Sequence, residues 1–216
     1  MRKTVIQTAL GLAITLAAGA THALDMECGQ LTNGYGPYDY RTAKPGQRRL
    51  VEDHHFTSQV ERLEKGQSSY LGDDIDYTLR AFPNHPRALM AMRRLSERLK
   101  TPFPKGAKFH VECYFERAVR FAPDDATAHT LYGLYLTSHG KREDALARLR
   151  MADGLQKDSA DVHYNLGLAY FSLGEHAKAL EHAHQAYALG FPLPGLKNKL
   201  KQAGTWRDAP DANPAQ

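Results

Sequence analysis

The sequence predicts an all-α fold: a right-handed superhelix of about four helix pairs, closed by a capping helix and preceded by an irregular N-terminal extension. Three observations predict it. The C-terminal half overlays itself without a gap when shifted by 34 residues. Glycines recur at that interval where one helix must end and the next begin. Between them, apolar residues step by three and four, as amphipathic helices require.

Taken in chain order, residues 1–23 read as a secretory signal peptide. Arg2 and Lys3 give a short basic start, Thr4–Ala20 is largely apolar, and Thr21-His22-Ala23 sets small residues at the −3 and −1 positions of a cut after Ala23. The uninterrupted apolar run is shorter than the roughly 20 residues of a spanning helix, so a membrane anchor is the poorer reading. Asp25-Met26-Glu27 ahead of Cys28 do not suit lipid attachment either. The expectation is a periplasmic protein with no stable membrane anchor once the leader is cut. Loss of Arg2 and Lys3 leaves 26 basic residues against 24 acidic ones, so the formal charge falls from +4 to +2. With no stripe of Lys and Arg interleaved with aromatics, nucleic acid is not an expected partner.

Residues 24–51 read as an irregular extension laid against the repeats. Cys28–Tyr40 holds Asn-Gly, Gly-Pro and three tyrosines, and has no helical pattern. Cys28 and Cys113 are the two cysteines of the chain. In an oxidising compartment such a pair is most simply one disulfide, pinning the extension to the second unit. Two separate thiols, one of them buried on a helix, are the other reading. A bridge would close a long loop, for which chain entropy sets a ceiling of about 4–5 kcal/mol.

The repeat domain spans residues 52–206. Its first unit, 52–85, is inferred from spacing: Glu52–Glu64 and Ser69–Ala81 flank Gly66, which precedes Pro83 by 17 residues, the interval also seen from Gly140 to Lys157. In the second, 86–125, Pro86–Leu99 and Lys108–Phe121 read as helices around a long loop at Thr101–Gly106, stretching the unit to 40 residues. Pro123 ends it, and Asp124-Asp125 supply an N-cap and a first-turn carboxylate for the next helix.

Units 126–159 and 160–193 carry the repeat most clearly. His129-Thr-Leu-Tyr-Gly133 falls on His163-Tyr-Asn-Leu-Gly167, Gly140 on Gly174, Ala145-Leu146 on Ala179-Leu180, and Ala152 on Ala186. Gly133 and Gly167 mark a close approach of the second helix, and Gly140 and Gly174 the turn. The alanines lie two turns apart and let the second helix nest on the first. The segment Val162–Leu180, with its Leu-Gly pair, the aromatic four residues after that Leu and its two alanines, closely resembles the tetratricopeptide repeat (TPR) consensus. Residues 126–159 resemble it less fully, Lys157 standing where proline is usual. Pro194–Trp206 reads as a cap, with Leu196, Leu200 and Trp206 covering the last face, and residues 207–216 as a disordered tail.

The resemblance implies a concave groove lined by the first helices through positions 2, 5, 6, 9, 12 and 13 of each unit. Carried over, these are Thr127, Thr130, Leu131, Leu134, Thr137 and Ser138, then Asp161, Tyr164, Asn165, Leu168, Phe171 and Ser172. Thr130, Leu134, Ser138, Tyr164, Asn165, Leu168 and Phe171 are the residues expected to meet a partner. Their apolar and aromatic character with a few polar handles suits a peptide or helix of another protein. Asn165 stands where peptide-binding members hold the ligand backbone, although the same Tyr-Asn-Leu-Gly is plain consensus. Arg93 and Arg94 are the only candidates for the family's carboxylate clamp, which is therefore not expected. The other occupant considered for the groove is the chain's own Tyr35–Tyr40 segment. Self-association through exposed end faces is open as well.

Eleven histidines invite a metal reading that their spacing does not reward. His54-His55 are adjacent and His182/His184 are two apart, so neither pair shares a helix face, and no zinc-binding motif is present. His129 and His163, one repeat apart, read as partly buried structural histidines and possible stacked neighbours. No metal and no cofactor is expected, a weak metal site at His176, His182 or His184 being the disfavoured alternative. The acids at Asp73-Asp74-Ile-Asp76 read as a helix first turn, and no activated nucleophile is evident, so the expectation is a binding protein and not an enzyme. The alternatives are a metal- or haem-handling protein that uses the histidines, and an enzyme with its site in residues 28–50.

Overall fold

The computed structural model describes residues 28–67, 70–155 and 158–208. The expected signal peptide, and all of the expected tail but Arg207 and Asp208, lie outside the described residues. Among the described residues there are ten helices and no strand: α1 Pro45–His55, α2 Ser58–Glu61, α3 Leu71–Ala81, α4 Pro86–Leu99, α5 Val111–Phe121, α6 Ala126–Ser138, α7 Arg142–Leu155, α8 Ala160–Ser172, α9 His176–Ala188 and α10 Gly195–Gln202. None of the described helices is long and apolar enough to cross a membrane.

Local chemistry sets most boundaries. The Asp125 carboxylate caps α6 by accepting from the Ala128 amide (3.1 Å), and Ser159 caps α8 through the Val162 amide (3.3 Å). Gly140 and Gly174 end α6 and α8 at φ +72° and +75°, the left-handed region that a side chain makes costly. A Cβ on Gly133 would lie 2.6 Å from Leu149 Cδ2, and one on Gly167 would collide with Leu196. The close approach read from those two glycines is therefore made by α7 on one and by the cap on the other.

The first unit departs from expectation. Its opening helix starts at Pro45 and not at Glu52, so the extension is irregular only as far as Lys44. Pro at the first helical position, and the Gln47 side chain accepting from the Lys44 amide (2.9 Å), start it. It breaks at Phe56–Thr57, and α2 supplies one further turn before Leu63 adopts φ +60°. In the second unit, α5 begins at Val111 and not at Lys108. The Lys108 amide is drawn off to the Tyr114 hydroxyl (3.1 Å) and Asp76 (3.2 Å).

Packing follows the repeat. α4, α6 and α8 lie side by side as first helices, each pairs with its own second helix, and α10 covers α8 and α9. One apolar cluster runs from Phe56 to Ala145, a second from Ala126 to Leu200, and Leu134 and Leu173 touch both. Each unit buries its face by stacking on the next. The extension is joined by the Cys28–Cys113 disulfide across 85 residues, which settles the pairing that the sequence left between two readings. The buried Arg117 guanidinium donates to the Cys28 and Gln30 carbonyls (2.9 and 2.7 Å), and Arg120 to that of Gly29 (2.8 Å). Tyr35, Tyr38 and Tyr40 pack around Ala81 and Phe82. The extension thus seals the end of α3, and does not fill the groove of first helices.

Candidate functional site

The side-by-side first helices leave a trough of about 340 Å3 between α4, α6 and α8. Its lining is Pro86, Arg87, Met90 and Arg94 from α4, Thr127 and Leu131 from α6, Asn165 from α8, and Glu61 from α2. Met90, Leu131 and Pro86 make an apolar floor. The basic side is held in place: Arg87 pairs with Glu52 and Glu61 (both 2.8 Å), and Arg94 donates to the Glu61 carbonyl (2.9 Å). Asn165 donates to the Asp161 carbonyl one turn back on its own helix (2.9 Å).

Of the seven residues expected to meet a partner, this trough contains Asn165. Thr130 is buried, its hydroxyl donating to the Ala126 carbonyl (2.8 Å), so it cannot reach a ligand as it stands. Leu134 bridges the two apolar clusters, and Leu168 packs on the second. Tyr164 stacks on Phe191 (3.9 Å between centroids) beside Gly195 of the cap. Phe171 stacks on His176 (5.0 Å) with Lys199 over its ring. Ser138, exposed at the end of α6, donates back to the Tyr135 carbonyl (2.8 Å). Arg87 and Met90 are not among the residues expected from the sequence, and Arg94 stood there only as a candidate for a carboxylate clamp. Yet these are positions 2, 5 and 9 of the unit 86–125, so the register used for the later units would have found them.

A second group came together that spacing along the chain had argued against. His163 of α8 and His182 of α9 are both buried, with their Nδ1 atoms 3.1 Å apart. Asp153 of α7 lies beside them, its Oδ1 3.9 Å from His182 Nε2, and one donor atom from each of the three lies within 4.8 Å of the others. Burial lowers the His182 pKa, the Asp153 carboxylate opposing that shift and His163 reinforcing it. His129, considered as a stacked neighbour of His163, instead turns its Nε2 to the Pro123 carbonyl (2.9 Å). Faces judged along a single helix cannot show a pair that forms across a helix hairpin, 19 residues apart.

Near the C-terminal end, His184, Tyr187, Phe191, Lys197 and Trp206 border a shallow depression of about 550 Å3. Beside the disulfide, His110, Glu112, Glu116, Tyr132 and Tyr135 border another of about 230 Å3.

The family model of the tetratricopeptide repeat matches residues 160–189, the helix pair α8–α9. Two solved structures match the chain at low identity. The crystal structure of MamA shares 18% identity, covering 76% of this chain and 86% of that one, with a TM-score of 0.44. A structure described as MamA MSR-1 C2 shares 16% identity over 70% and 80%, with a TM-score of 0.40. No curated protein matches the chain in sequence. The chain is an all-helical repeat protein that carries a tetratricopeptide repeat at residues 160–189.

Proposed function

We propose that this protein is an exported, periplasmic adaptor or assembly factor, not an enzyme, that holds a segment of another protein in the trough between α4, α6 and α8. The tetratricopeptide fold generally serves protein–protein interaction, and a concave face of stacked first helices is how such arrays present a binding surface. The observation that carries the reading is the trough itself: Met90, Leu131 and Pro86 beneath, with Arg87, Arg94 and Asn165 around them. An apolar floor ringed by hydrogen-bonding groups suits an extended peptide or one helix face, whose apolar side chains enter while its carbonyl or carboxylate oxygens meet the donors. Support for export comes from the leader-like residues 1–23 and from the disulfide, a bond that persists in oxidising compartments.

Crosslinking pull-down from an envelope fraction tests this with wild-type protein beside Met90→Glu and Asn165→Ala, each checked for unchanged helicity. Both variants are expected to lose the same partner. A partner captured equally well by all three proteins would place recognition elsewhere on the molecule.

A further inference from the structure

The repeat supplies its own control for the cluster at α7–α9. One period earlier, the positions of His163, His182 and Asp153 are held by His129, Arg148 and Val119. There the single imidazole serves a backbone carbonyl, and Arg148 lies over the Tyr132 ring. Among the described residues, two imidazoles and a carboxylate converge only at the junction of the third and fourth units. Within the frame shared by both units, the donor set arises from two changes, Arg to His on the second helix and Val to Asp on the preceding one.

We propose that Asp153, His163 and His182 form a binding site for a divalent transition-metal ion of the zinc class, joining α7, α8 and α9. Two imidazoles and one carboxylate are a borderline donor set that suits zinc, copper or nickel ions over calcium or magnesium. Nitrogens about 2.1 Å from one tetrahedral ion lie about 3.4 Å apart, within a few tenths of an ångström of the 3.1 Å between the two Nδ1 atoms. Asp153 faces the other nitrogen of His182, its Oδ1 3.9 Å from Nε2, but one of its oxygens lies within 4.8 Å of a donor nitrogen of each histidine, and a side-chain rotation toward the Nδ1 atoms closes the third side. Its side chain is 48% exposed, so that movement and the entry of the ion both occur from solvent, while the histidines stay fixed in the core. The His182 ring is parallel to that of Tyr170 (2° between planes, centroids 5.3 Å apart), which limits its tilt. Three protein donors leave the remaining position of a four-coordinate ion to water or to a group from a partner. This site stands on residues separate from the trough and does not depend on it.

The test is calorimetric titration of Zn2+ into the tag-free, chelator-treated, disulfide-intact protein, repeated on variants. The expected result is one equivalent bound, weakened at least about tenfold in Asp153→Asn and in His182→Gln, and unchanged in His54→Gln and His176→Gln. Asp153→Asn alters a half-exposed side chain and so decides the matter even where His182→Gln fails to fold. Co2+ in place of Zn2+ adds a visible spectrum, expected to change in Asp153→Asn. No saturable binding, or an affinity unmoved by Asp153→Asn, overturns the proposal. So does binding abolished by His54→Gln or His176→Gln, which would place the ion on surface histidines.

Discussion

The two halves of this repeat array are held by different means. Through α5 the apolar interior is supplemented by buried charge and long-range ties. Asp74, Asp76 and His85 are fully buried, Tyr114 donates to Asp76 across 38 residues (2.6 Å), and Arg117 gathers the carbonyls of a segment almost 90 residues away. From α6 onward the ties are local, small residues recurring at the repeat spacing and the buried His163 and His182 meeting across one hairpin. Ala145, Ala152, Ala179, Ala183 and Ala186 are fully buried, and the glycines at 133 and 167 admit a neighbouring leucine. A unit close to the family consensus closes on its neighbour through small residues at fixed local spacing. A unit that lacks the consensus draws its partners from far along the chain, and here it needed an extension and a covalent bond to do so.

Breaking the bond should separate the halves most. Cys28→Ser with Cys113→Ser removes an 85-residue loop closure, expected to cost about 2–4 kcal/mol. Hydrogen exchange should then rise in α3–α5 and the extension well before α7–α9. A single cooperative loss across all helices would contradict the division.

The mirror experiment is Gly167→Ala, which drives a Cβ into Leu196 of the cap. It should cost about 1–3 kcal/mol, with the loss of protection confined to α8–α10, as read by the same exchange measurement. Protection lost equally in α3–α5 would show that the halves do not open separately.

Acid should act on the first half, and more weakly. A hydrogen bond from Arg41 holds the Asp39 carboxyl down at about 2, and one from His85 holds Glu52 at about 2. Both groups are more acidic folded than unfolded. Their stabilisation is therefore complete above about pH 4.5 and is lost as pH falls through about 2, at roughly 1–2 kcal/mol each. Denaturation midpoints measured down that range should fall less steeply in Asp39→Asn with Glu52→Gln than in the wild type. Equal slopes would remove these two carboxylates from the account.

How far the sequence could be read follows the same division. The 34-residue overlay located α6 to α9, and Pro86 with Leu99 bounded α4, because turn glycines, caps and alanines act within a few residues. The first unit was legible only in outline. Its opening helix depends on a proline start at residue 45 and a break at Phe56 that no periodicity marks. The site was less legible still. Position within a repeat identified the first-helix face, but Tyr164 and Phe171 were taken up by Phe191 and His176, and Thr130 by its own helix. Those contacts depend on how the cap and the turns fold back. The meeting of His163 with His182 likewise depends on the hairpin that joins α8 to α9.

The most direct measurement is site-specific photocrosslinking in the cell envelope, with a photoreactive residue at Thr127, exposed in the trough, and in a second protein at Glu181, exposed on α9. A discrete protein adduct is expected from position 127 and absent from position 181. Adducts from 181 alone, or the same adducts from both positions, would contradict recognition in the trough of first helices.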